Sequence, residues 1–165
     1  EIRRIVNDIA GKLVNIVEPT VTEKRIKALI QGTKIYIPES VTDIGVGAFN
    51  YCTGLTRFNI PSGVTVLNSD TFGRLNSMTA PIIIPPSVNT INAYCFNSTT
   101  KTICFDFRQH TSIPTLKSTN AFNNSGNWKI VVPDALYNDW IGATNWATYK
   151  SRIVKASEFV EPTNE

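Results

Sequence analysis

Apolar residues alternate with other residues in short runs that recur through the middle of the chain. Ile35/Ile37, Phe58/Ile60, Ile82/Ile84, Phe105/Phe107 and Ile130/Val132 are apolar pairs with one residue between them. That period of two predicts strands with one buried face. Pro38, Pro61, Pro85 and Pro133 directly follow four of these pairs. Each ends its strand, because proline has no N–H to give a ladder. Segments rich in Asn, Ser, Thr and Gly separate the runs and predict loops.

The runs belong to a repeat. Ile37-Pro38 returns as Ile60-Pro61 and Ile84-Pro85. Three residues after each proline comes Val41, Val64 or Val88, and six after comes Ile44, Leu67 or Ile91. Eleven after comes Phe49, Phe72 or Phe96. A fourth copy is degenerate: it keeps Ala121 and Phe122 and loses the proline, with an ambiguous register from Arg108 to Ile113. A fifth start appears at Ile130, Val132 and Pro133. A unit of about two dozen residues cannot bury its own apolar face, and stacking equivalent strands about 4.8 Å apart lets each coil cover the next. The pattern predicts an α+β repeat solenoid over residues 35–132, with short parallel strands in about four to five coils. Phe49, Phe72, Phe96 and Phe122 would form an interior ladder.

This resembles the BspA-type leucine-rich repeat, whose consensus reads IP-x-x-V-x-x-I-G-x-x-A-F-x-x-C-x-x-L. The first copy matches at Ile37, Pro38, Val41, Ile44, Gly45, Ala48, Phe49, Cys52 and Leu55. The second departs at Asn68 and Thr71, and the third has Asn92 and Cys95 in those slots. The resemblance implies a scaffold used for adhesion and binding by many bacteria, their phages and some protists. It implies a recognition domain on a bacterial surface, taking a protein or glycan partner on a cell.

Different patterns flank the repeat. Within residues 1–18, Ile2, Val6, Ile9, Leu13 and Ile16 form an a/d seam. It reads either as a coiled-coil segment that assembles a homotrimer or as one amphipathic helix lying on the first coil. Gly11 inside it costs about 1 kcal/mol relative to alanine. Residues 19–34 predict a short capping helix, from Thr22 as N-cap through Ile26, Leu29 and Ile30 to a stop at Gly32. It would cover the open edge of the first strand. Residues 133–157 hold Tyr137, Trp140, Trp146 and Tyr149. Asp134 to Ile141 predicts a helix with Leu136 and Trp140 on one face, and Asn145 would cap a second turn through Tyr149. By resemblance such segments close repeat arrays; the aromatic faces also suit a sugar-stacking platform. Residues 158–165 read as a tail.

Charge and chemistry narrow the function classes. A net charge of +3, without a Lys/Arg stripe carrying interleaved aromatics, argues against nucleic acid. No apolar run approaches the roughly 20 residues of a membrane helix. The chain begins at Glu1 rather than Met, as expected for a piece of a longer protein. Cys52, Cys95 and Cys104 read as small core residues in no zinc-like spacing, so neither metal nor cofactor is expected. His110, the single histidine, reads as a loop residue, and a Cys104–His110 nucleophile pair lacks an orienting third group. Asp43, Asp70, Asp106, Asp134 and Asp139 stand singly, and no phosphate loop or nucleophile elbow appears. Catalysis is not expected. The residues after the phenylalanines, Asn50, Tyr51, Arg74, Asn76, Asn97, Asn123 and Asn124, either form ordinary turns or a binding flank. Two readings of function follow: a non-catalytic extracellular adhesion domain of a bacterial surface protein, or the distal domain of a trimeric phage tail fibre or baseplate protein in a virion.

Overall fold

A computed structural model describes residues 31–124 and 126–161. Nine short strands follow in order: β1 (Gln31–Ile35), β2 (Gly54–Phe58), β3 (Val66–Leu67), β4 (Ile82–Ile83), β5 (Thr90–Ile91), β6 (Cys104–Asp106), β7 (Thr115–Leu116), β8 (Lys129–Val132) and β9 (Ile153–Lys155). Helix α1 (Tyr137–Gly142) lies between β8 and β9, flanked by brief 3₁₀ turns. Every described strand pairing is parallel.

The pairing partners are the repeat partners. Ile35 lies beside Phe58, Ile82 beside Phe105, and Phe105 beside Ile130. The strands form three sheets, β1-β2, β3-β5-β7 and β4-β6-β8-β9. The last joins the strands carrying Ile82, Phe105 and Ile130 with β9, and β3-β5-β7 joins the segments carrying Leu67, Ile91 and Leu116. No ladder links β2 to β4. Pro81, which offers no N–H, stands directly before β4 where that ladder would continue. Beside β2, the Asn59 side chain does backbone work: Ile37 N–H donates to its Oδ1 at 2.7 Å, and its Nδ2 donates to Ile37 O at 2.9 Å.

The phenylalanines lie in the core as a stack. Centroids are 5.5 Å apart from Phe49 to Phe72, 5.5 Å from Phe72 to Phe96 and 5.4 Å from Phe96 to Phe122, with interplanar angles of 2°, 9° and 13°. Backbone bonds run alongside: Phe49 N–H to Thr71 O, Phe72 N–H to Cys95 O, and Phe96 N–H to Ala121 O. The turns around Phe49, Phe72 and Phe96 take left-handed backbone on both sides. Gly47, Asp70 and Tyr94 take positive φ two residues before a phenylalanine, and Tyr51, Arg74 and Ser98 do so two residues after. Only the first is glycine, and at a non-glycine residue such a conformation costs of order 1 kcal/mol. The bonds between coils hold it in place.

The ends differ from the sequence expectations in several places. The seam of Ile2, Val6, Ile9, Leu13 and Ile16, and the expected capping helix up to residue 30, lie outside the described residues. From Gln31 the chain is strand, so the segment read as reaching residue 34 hands over to β1 earlier. β9, inside the segment expected to be helical, adds to β8 as another parallel strand. The expected helix from Asp134 splits into a 3₁₀ turn, Asp134–Leu136, and α1. Asn145 stands directly before the expected second turn, a 3₁₀ turn at Trp146–Tyr149, but its side chain does not cap it; it takes φ 64° and its Nδ2 donates to Leu116 O at 2.6 Å. Trp140 and Trp146 are buried against Phe107, which removes them as an open sugar platform. Trp146 Nε1 donates to Pro114 O at 2.8 Å, whereas Trp140 Nε1 is buried without a partner.

Candidate binding surfaces

The outer face of the strands follows from the alternation that builds the core. Phe58 and Ile82 point inward, so the residues beside them point outward. In chain order the outward pairs are Lys34 and Tyr36, Arg57 and Asn59, Pro81 and Ile83, Cys104 and Asp106, and Lys129 and Val131. Tyr36, directly after β1, is 70% exposed and Ile83, in β4, 59%, large values for such side chains.

Between β2 and β4 this face opens into a groove of about 380 Å³. Arg57, Pro81, Ile83, Asp106, Arg108 and Glu161 are among the residues that line it. It lies where the ladder is interrupted, and apolar and charged side chains meet there. Sequence reading missed it, because it depends on the break at Pro81 and on a contact with the far end of the chain.

That contact is an ion-pair chain. Arg108 donates from Nε and Nη2 to both oxygens of Asp106, at 2.9 and 2.6 Å for Oδ2, and from Nη2 to Glu161 Oε1 at 2.9 Å. These bonds push the guanidinium pKa upward. Cys104 and Val131 are buried on this part of the face, although neither packs in the central core. The expectation that Cys104 points into the core is therefore corrected: Phe105 takes the inward position and strand alternation turns Cys104 the other way. Burial and the Asp106 charge push its thiol up to about 12, which keeps it protonated and unreactive. Ser157 anchors the segment further, its N–H donating to Asp134 Oδ1 at 3.0 Å and its hydroxyl to Oδ2. The residues read as a loose tail thus include Glu158, at the end of a 3₁₀ turn, and the ion-paired Glu161.

The turn residues singled out by sequence fall into separate places. Arg74 lies over the Tyr51 ring at 4.5 Å, with Nη1 at 3.5 Å from Asn50 Oδ1, so these three meet. Asn76 and Asn123 are exposed, and Asn97 is half-buried. Asn124 serves the backbone, its Oδ1 accepting from Thr99 N–H at 2.6 Å, while its Nδ2 is buried without a partner. These residues line the turns as a row, and only Tyr51, Arg74 and Asn50 form a cluster.

The other groups singled out by sequence are placed as follows. His110 is buried rather than sitting in an open loop; its ring packs beside Phe107 and Trp140, with Nε2 at 3.2 Å from Ile84 O. Burial lowers its pKa. Cys52, Cys95 and Cys104 are buried. Among the described residues no group of His, Cys, Asp and Glu could hold a metal ion, and no helix is long and apolar enough to cross a membrane.

A family model described as the BspA type leucine rich repeat region matches residues 27–138 in 6 copies, more than the four to five coils counted from the sequence. No curated protein matches the chain.

Proposed function

The chain belongs to the BspA-type leucine-rich repeat family, and we propose that it is a non-catalytic recognition domain of an extracellular bacterial surface protein. In this reading the stacked repeats form a solenoid, the Trp-rich segment closes its far end, and the partner is a protein held on the outer strand face. The observation that carries the reading is the groove between β2 and β4, with Ile83 exposed beside Arg57. Soluble proteins expose single apolar residues freely, but Ile83 lines a concavity and sits on a short strand paired to β6. Such sites suit recognition, because side chains on paired strands lose little further freedom when a partner arrives.

The test is a biosensor screen of the chain against extracellular proteins and glycans, repeated with Ile83→Glu and with Arg74→Ala. Partners that are lost with Ile83→Glu and kept with Arg74→Ala support the strand face. Partners lost only with Arg74→Ala would move recognition to the Tyr51 turn cluster and refute the assignment. Turnover of a screened molecule would refute the non-catalytic reading.

A further inference from the structure

Charge on the strand face is unevenly satisfied. Two of the carboxylates near the groove are consumed by internal donors. Asp106 is held by the Arg108 fork. Glu39 accepts from the Ser62 N–H at 2.9 Å, the Ser62 hydroxyl at 3.0 Å and Asn59 Nδ2 at 3.4 Å, and these bonds lower its pKa. The cations are not matched in the same way. Lys34 and Arg57 are exposed direct neighbours in the β1-β2 register, about 4.8 Å apart across the ladder, and no carboxylate among the described residues pairs with either. Like charges side by side on one face repel. Nothing described in the fold offsets them.

The groove already shows which group it accepts. Glu161, a carboxylate on an extended end segment, reaches across to Arg108 at 2.9 Å on one wall. Arg57 also stands on the groove lining, where no carboxylate among the described residues pairs with it, and Pro81, Ile83 and Pro85 give apolar contact between. Lys34 lies outside this lining, on β1 next to Arg57. A ligand filling the groove places a carboxylate on Arg57, on the side where Lys34 adjoins it, and an apolar side chain against Ile83.

Resting on the recognition reading above, we propose that the groove between β2 and β4 binds an acidic segment of a partner protein, with Lys34 and Arg57 receiving its carboxylates and Ile83 its apolar side chains. A purely anionic polymer would leave the apolar wall unmatched. The surrounding face also lacks the long basic stripe that nucleic acid demands. The attraction is between exposed groups, so it weakens as salt shortens the screening length.

The experiment is fluorescence anisotropy of the whole chain with a short labelled peptide of alternating glutamate and leucine. A lysine–leucine peptide, a heparin fragment and a DNA oligomer serve as competitors. The expected result is binding of the acidic peptide alone, weakened by added salt and by about tenfold or more in Lys34→Gln/Arg57→Gln. Arg57→Glu is compared with Lys117→Glu, which makes the same charge change at an exposed position after β7. Melting curves matching the parent establish that each variant is folded. Equal weakening by the two charge reversals would overturn the proposal, since net charge alone would then explain binding. Preference for heparin or DNA would overturn it too. Failure of the acidic peptide, with protein partners still lost in Ile83→Glu, would sink the acidic partner and leave the recognition reading standing.

Discussion

Replacing Phe72 with alanine removes the ring at the centre of the stack, where its contribution can be worked from its surroundings. Phe72 is fully buried, with Phe49 and Phe96 each 5.5 Å away and Phe58 at 4.4 Å, all near-parallel. A buried Phe→Ala change costs about 3–5 kcal/mol through lost transfer energy and the cavity left behind. Three lost ring contacts, each worth about 0.5–1.5 kcal/mol beyond area, place this site at the upper end of that range. The cavity will not close easily, because Phe49 N–H and Phe72 N–H bind neighbouring coils and fix the backbone spacing. The expected loss is about 4–5 kcal/mol, or a melting-point drop of about 8–20 °C for a domain of this size. Urea unfolding followed by far-UV circular dichroism and by tryptophan fluorescence measures it. Trp128, Trp140 and Trp146 all report on the C-terminal side of the cut, so the two probes should separate if the stack splits at Phe72. Asn76→Ala, at an exposed turn, should cost under about 0.5 kcal/mol. A Phe72→Ala loss under about 1.5 kcal/mol, or an Asn76→Ala loss above it, would refute the stacked-ladder account.

Other expectations follow from individual contacts. His110 is buried with a lowered pKa, so the unfolded chain binds its proton more readily than the folded one. Its contribution is therefore complete above about pH 6.5 and declines as pH falls below that, by at most about 1.4 kcal/mol per pH unit. Urea midpoints between neutral and mildly acid pH should fall more steeply for the parent than for His110→Gln; identical slopes would contradict this. Trp146→Phe should cost more than Trp140→Phe, by about 1–3 kcal/mol, because only Trp146 Nε1 has a partner and its loss strands the buried Pro114 carbonyl. Equal losses in chemical denaturation would undo that argument. Asn59→Ala should cost about 1–3 kcal/mol by freeing both polar groups of Ile37, with amide exchange at Ile37 rising as the direct readout.

The sequence by itself determined the repeat. A period of two before each proline, with apolar residues at constant offsets after it, leaves one economical way to bury every apolar position, and that is to lay each unit on the last. Those positions are local in pattern and identical in role, so their partners can be read without coordinates: Phe49, Phe72, Phe96 and Phe122 stack. β9 escaped this reading because its row is short and follows a helix, and only pairing with β8 makes it a strand. Cys104 escaped because a hydrophobic residue beside a core residue looks alike whichever face it takes.

Tertiary structure alone decided where a partner can be sought. The groove needs a ladder interrupted at Pro81, an outward Ile83 and an ion pair between Arg108 and Glu161, residues far apart in the chain. Left-handed backbone at Tyr51 and Arg74 likewise arises from bonds to the next coil, not from local preference. Burial pattern is written along a chain because each residue meets water or core on its own. A binding site is a relation among distant residues, and only the folded backbone brings them together.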